Sequence, residues 1–249
     1  MDKQEILRKL DEIKALLTEE QEQEETRPEF INDLYSWDEL QSLAQSGKAA
    51  EKITIGDELR VVRNGRNIIF DVVKITDSKI YLLSRYLIVQ MPFDAPEPKN
   101  PDNNIAEYGS NDYLNSSIRQ WLNSCSYSGE WWEPKTEYDT PVANVDYLAG
   151  FLCDMDMKFV NSLYRNEDGD IFFLLSEDEI KEWLPNAEDR VKSYASGEKD
   201  WYWTRTPYSG DSYNVRLVST SGALYDYGAY GVAPACINGV APACIIGNL

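Results

Sequence analysis

At 249 residues and 43% hydrophobic, with 7 Trp, 16 Tyr and 7 Phe, the chain can bury one large core or two small ones. Its formal net charge of −19 argues against non-specific nucleic-acid binding, which needs basic patches to displace counterions. The lack of His excludes Ser-His-Asp and Cys-His catalysis and every His-containing metal site; Cys125, Cys153, Cys236 and Cys244 form no C-x-x-C pair, so no metal and no cofactor is expected.

Ile6, Leu10, Ile13 and Leu17 recur at steps of four and three, a helical apolar stripe. A lone helix of this length is marginal unless the stripe is covered. Docking on the main body and self-association both cover it, and we favour a homo-oligomer through residues 3–20. Residues 1–27 are read as an N-terminal amphipathic helix closed by an acidic run and Pro28, and residues 28–50 as a linker with a short helix. The start, MDKQEILRKLDEIKALL, has no apolar leader core, and no run approaches membrane-spanning length. The expectation is a chain cytoplasmic at synthesis, with reduced thiols and no membrane insertion, that leaves a cell only by lysis or inside a particle.

Ser36-Trp-Asp-Glu39 is a capping-box pattern and predicts a helix over 37–45 that stops at Gly47. From Lys52 the pattern changes to β, with strands expected at Ile53–Ile55, Leu59–Val62, Ile68–Ile75 and Ile80–Leu83. Asn64-Gly65 between two of them signals a hairpin. Met91–Asp102 reads as Pro-rich loop, Asn115–Asn123 as a helix burying Ile118, Trp121 and Leu122, and Val145–Leu163 as partly helical. Asp168-Gly169 turns into a strand at Ile171–Leu175, and Ser176-x-x-Glu179 opens a second capped helix that ends before Pro185. After Asp200 only strand and loop are expected: Trp201–Thr206, Ser212–Thr220 and Tyr230 onwards.

The tail, Thr206 to Leu249, has no Lys, Glu, Gln, Met or Trp, whereas the first 205 residues hold 53 of these types. Tyr208 to Tyr230 is instead rich in Tyr, Ser and Gly, a palette suited to recognition because Tyr offers broad contact for few rotors. A non-helical segment also sheds Lys, Glu, Gln and Met, which favour helices. Val215 and Val218 differ in parity, so a bulge or turn must intervene if both are buried. One heptapeptide is duplicated: GVAPACI occupies Gly231–Ile237 and again Gly239–Ile245. Tandem copies cannot fill one position of a sheet, so only one is expected as a core strand.

Three blocks occur in order: YLNSSIRQWLN at 113–123, DIFFLLSEDEIKEWL at 170–184, and WYWTRTPYSGDSYNVRLVSTSGALYDYGAYGVAPACI at 201–237. With a lead-in at 36–59 they resemble an uncharacterised domain family common in gut bacteria and their phages, over roughly residues 36–237. Members resemble the C-type-lectin-like fold shared with formylglycine-generating enzymes, and some look like variable proteins of diversity-generating retroelements. In those systems a reverse transcriptase copies a template with errors at adenines and replaces the 3′ end of the target gene. The resemblance implies an α+β, C-type-lectin-like domain at 51–249 after the short N-terminal helix extension, with a hypervariable region at 206–237. It also supplies a reason for the five missing types. Template codons AAC or AAT mutated at adenines become NNC or NNT, which encode none of them.

The candidate variable, ligand-binding residues are Tyr208, Asp211, Tyr213, Asn214, Leu217, Ser219, Tyr225, Asp226, Tyr227 and Tyr230, set in a framework of Val215, Arg216, Val218, Thr220, Ser221, Gly222, Ala223 and Leu224. Two departures stand out: Ala233 and Ala241 replace a family Arg, and Tyr113 replaces a more usual Trp. The segment is either a binding face or a Tyr-rich sheet edge, and the resemblance favours binding to a protein or cell-surface ligand. Asn166–Asp170 and Glu133-Pro134 read as turns rather than calcium sites, because the first lacks EF-hand spacing and Lys135 follows the second. Trp201 and Trp203 read as core, and Arg119 and Arg205 as ion-pair partners. The chain is therefore expected to be a non-enzymatic receptor-recognition protein, with a place in a phage virion following from the phage association. The alternative is a structural phage appendage subunit without diversification. A formylglycine-type oxidase ranks lower, since it needs a paired-Cys copper site and fold alone is a poor warrant for function.

Overall fold

The computed structural model describes Lys9 and residues 28–143, 145–225 and 236–247. Of the predicted helix at Ile6–Leu17 only Lys9 is among these residues, and it is helical; the apolar stripe itself lies outside them. The architecture is α+β, with two four-stranded sheets and several short helices. The helices are α1 (Trp37–Gln45), α2 (Ala49–Lys52), α3 (Asn103–Tyr108), α4 (Ser117–Leu122), α5 (Met157–Ser162), α6 (Glu177–Trp183) and α7 (Ala187–Arg190). The strands are β1 (Glu58–Arg63), β2 (Arg66–Ile75), β3 (Ile80–Ser84), β4 (Gln90–Pro92), β5 (Tyr202–Pro207), β6 (Val215–Val218), β7 (Ile237–Gly239) and β8 (Ala243–Ile246). One sheet runs β1-β2-β3-β8 and the other β4-β7-β5-β6.

Local chemistry accounts for the best-defined boundaries. Both capping boxes form: the Ser36 and Ser176 hydroxyls accept from the backbone of Glu39 and Glu179, whose carboxylates reach back to the cap nitrogens. Asn64 and Gly65 hold φ of 47° and 68°, the pair of left-handed residues that a tight hairpin turn requires. The β1–β2 register closes on it as Arg63↔Arg66. Ile118, Trp121 and Leu122 are buried on α4, as their spacing predicts.

Three expectations need correction. Ile53–Ile55 is no strand: Ile53 caps α2, and the Asp57 carboxylate takes the Thr54 N–H at 2.8 Å to fold a turn. Ile171–Leu175 is buried throughout but joins a ladder only through the bridge Phe173↔Ala243. Residues 28–50 are not a linker. Ile31, Trp37, Leu40, Ala44 and Ala49 lie in the same core as the sheets. The Trp37 indole donates to Asp156 at 3.2 Å, and the Gln41 amide donates to the Gly247 carbonyl at 2.9 Å.

The core is aromatic where the first sheet meets the helices. The Trp37 and Phe159 rings lie 4.8 Å apart and Phe151 stands edge-on to Phe172 at 4.9 Å. The duplicated heptapeptide is resolved by burial. In the second copy Val240, Ala241, Ala243, Cys244 and Ile245 are all buried, and its end forms β8 against β3. Of the first copy, the described residues Cys236 and Ile237 are exposed. Identical residues thus take opposite environments, because β3 offers a single edge to pair.

Candidate functional site

The tail enters the second sheet as β5, and its register with β6 explains the parity problem. Tyr202 pairs with Val218 and Trp203 with Leu217, but the next pair is Pro207↔Val215. Two extra residues on β5 therefore bulge out. Val215, Leu217 and Val218 are all buried, so β6 is covered on both faces. Trp203 is 1% exposed and its indole donates to the Met91 carbonyl at 2.9 Å. Trp201 differs from expectation: it precedes β5, is only half-buried, and packs on Tyr225 with rings 4.6 Å apart.

The loop between β5 and β6 is built from its own polar groups and one outside anchor. The Tyr208 N–H donates to the Asn214 carbonyl at 2.8 Å, closing the loop. The Asp211 carboxylate accepts from the backbone of Tyr213 and Asn214 and from the Asn214 amide at 2.7 Å. The Asn111 side chain donates to the carbonyls of Asp211 and Asn214 at 2.9 and 3.0 Å, and the Asn111 N–H to the Ser212 carbonyl at 3.1 Å. Ser212 in turn donates to Asp102 at 2.7 Å. Asn111 and Asp102 were not singled out from the sequence. Their only signal there is an Asn/Asp-rich stretch, which marks loops in general.

The candidate variable residues fall into three groups. Asn214, Leu217 and Ser219 are 3%, 1% and 3% exposed, which corrects their assignment to a displayed face. Leu217 is core, Asn214 is spent on Asp211, and the Ser219 hydroxyl accepts from Ser221 and Ala223 to hold the turn after β6. That turn needs Gly222, whose φ is +78° and where a Cβ would sit 1.8 Å from the Ala187 carbonyl oxygen. Asp211 likewise organises the loop. Tyr208, Tyr213 and Tyr225 remain half-exposed, each resting on a neighbour. Tyr213 stacks on Tyr108 at 5.2 Å, and Tyr225 packs at a tilt against Trp201. Tyr208 faces the Arg216 guanidinium at 5.2 Å. Arg216 also donates to the Tyr225 carbonyl at 2.6 Å and lies 3.4 Å from Glu177, so it ties two of the tyrosine positions to α6. Asp226, Tyr227 and Tyr230 lie outside the described residues.

The remaining candidates are structural in their contacts. Arg119 grips Asp170 at 2.9 Å and donates to the Asp168 carbonyl, while Arg205 binds Glu179 at 2.8 Å. Asn166 accepts from the backbone of Asp168 and Asp170, so its oxygen closes a turn. The Glu133 N–H donates to Gln120. No cluster of three or more metal-ligating side chains occurs among the described residues. Trp131 is buried and donates to the Leu148 carbonyl at 2.7 Å. Tyr113, in place of the more usual Trp, is also buried, with its hydroxyl accepting from the Leu174 N–H at 3.4 Å. All four cysteines are free; Cys236 is exposed and Cys244 fully buried, where burial pushes its thiol well above the ordinary range. No helix among the described residues is long and apolar enough to cross a membrane.

No curated protein and no solved structure matches the chain. A family model does, over residues 77–246. This match starts later than the resemblance read from the motifs and runs through both heptapeptide copies to the end of β8. The chain belongs to the family described as Domain of unknown function (DUF6273).

Proposed function

We propose that this protein is a ligand-binding, receptor-recognition protein that presents a diversified C-terminal surface on a C-type-lectin-like scaffold, as a target of retroelement mutagenesis. The observation that carries the reading is the division of labour in the tail. Its half-exposed tyrosines, Tyr208 and Tyr213 before β6 and Tyr225 after it, flank the buried strand residues Val215, Leu217 and Val218. The same tail lacks the five residue types that NNC and NNT codons cannot encode. The diversified set narrows to Tyr208, Tyr213 and Tyr225 among the described residues, with Asp226, Tyr227 and Tyr230 beyond them. The partner is a protein or cell-surface ligand, and assembly through residues 3–20, within a phage particle, would multiply weak contacts. With its thiols unpaired and no His, the chain is proposed to act by binding rather than by catalysis.

The flanking DNA tests this reading. It should hold a near-copy of the codons for residues 206–237, differing at adenines, beside a reverse-transcriptase gene. Intact flanks with neither element would sink it. At the protein level, Tyr213→Ala and Tyr225→Ala should each cost about 1 kcal/mol or less, the scale of one aromatic stack. Denaturation curves check this, and collapse of the fold would make these residues core.

A further inference from the structure

A cleft of ≈ 820 Å³ opens beside the β1–β2 hairpin, lined by no residue of the tail. Its volume lies in the range of small-molecule sites. Its lining residues include Arg63 and Arg66 but no Asp or Glu, in a chain that carries 43 acidic residues. The apolar part of the wall comes from Tyr86, Ile88, Leu148 and their neighbours.

The two arginines are placed by the hairpin. Arg63 and Arg66 are register partners across the Asn64-Gly65 turn, and residues directly opposite in an antiparallel pair project to the same face. Arg63 is fixed without a carboxylate: it donates to the carbonyls of Phe151 and Gly150 at 2.7 and 3.0 Å, with its guanidinium over the Phe151 ring at 5.3 Å. Asp154 is near enough to act on it through charge but does not line the cleft. The Arg66 side chain is exposed, with no hydrogen bond or ion pair among the described residues. Elsewhere Arg60, Arg85, Arg119, Arg205 and Arg216 each sit against a carboxylate. One arginine is thus held rigid and the other left available at the edge of a cleft whose wall is part polar and part apolar. That arrangement suits an anion with an apolar body.

We propose that this cleft binds a small amphipathic organic anion, its carboxylate or sulfonate held by Arg66 and Arg63 and its aromatic or aliphatic body lying along Ile88 and Leu148. The site is independent of the diversified tail and stands or falls separately from it. The test uses 1-anilinonaphthalene-8-sulfonate and its neutral analogue N-phenyl-1-naphthylamine in fluorescence titrations of the full chain. The sulfonate should bind at one site, and the neutral dye about ten-fold more weakly or worse, the effect of one charge-assisted hydrogen bond. Arg66→Gln should weaken the sulfonate by about ten-fold, while Arg165→Gln, outside the cleft, should leave it unchanged. Leu148→Glu, which puts a carboxylate in the wall, should abolish it, with circular dichroism and melting confirming that each variant folds. No sulfonate binding, equal binding of the neutral dye, or full affinity in a folded Arg66→Gln would each overturn the proposal.

Discussion

Replacing Leu217 by Ala is expected to destabilise the protein by about 2–5 kcal/mol, the range for deleting a buried leucine side chain. Leu217 is 1% exposed and pairs with Trp203, itself buried, at the last regular step before the β5 bulge. Both faces of β6 are covered, because Val218 on the opposite side is also buried. The cavity left by Ala cannot be closed by a small shift of one layer, which places the cost above that of a half-exposed strand position. Urea denaturation of the variant checks this. A loss below about 1 kcal/mol, the scale of ordinary surface substitutions, would return Leu217 to the set of displayed positions. The comparison with Tyr213→Ala then separates scaffold from surface within a few residues of the tail.

That separation was not legible in the sequence, and the reason is physical. An alternating pattern assigns one face of a strand to the core, but β6 is buried on both faces and its partner bulges. Which residues lie inside is decided by β5 and by Asn111, contributed from 97 to 103 positions away in the chain. Burial of residues 28–50 depends likewise on remote partners, since Trp37 meets Asp156 and Gln41 meets Gly247. By contrast, the starts of α1 and α6, the turn at Asn64-Gly65 and the buried face of α4 are local. Each is set by residues within four positions, so the sequence shows them directly. The aromatic supports Tyr108 and Trp201 of the candidate site belong with the first kind: nothing in their own neighbourhoods marks them as partners of Tyr213 and Tyr225.

The contribution of Asp94 to stability is expected to be lost as pH rises from about 4 to about 7. The Asp94 carboxylate lies below α4, accepting from the Ser117 hydroxyl at 2.8 Å and the Ser117 N–H at 3.2 Å. Burial raises it to about 7 from an ordinary value of 3.8, against the lowering effect of those two bonds, and the Asp139 charge adds to the rise. An acid with a raised folded value binds its proton more tightly when folded, so its contribution to stability is fully present below pH 3.8 and is lost as pH climbs through about 7. Each tenfold difference in acidity between the folded and unfolded chain is worth about 1.4 kcal/mol. Lys192 is separable: buried against the Ser84 carbonyl, its ammonium is lowered to about 8 from 10.5, so its effect is a gain of stability between those values, above the Asp94 window. Glu97 and Asp170 are also raised by burial and slope the same way as Asp94. The decisive measurement is therefore the difference between the native chain and Asp94→Asn, which keeps an acceptor for Ser117 but cannot ionise. Chemical denaturation across pH 4 to 8 should show the variant gaining steadily on the native chain, by about 1.4 kcal/mol for each tenfold fall in proton concentration until pH reaches about 7. Parallel curves over that interval would mean that Asp94 titrates at an ordinary value, and that the buried start of α4 holds a charge at no cost.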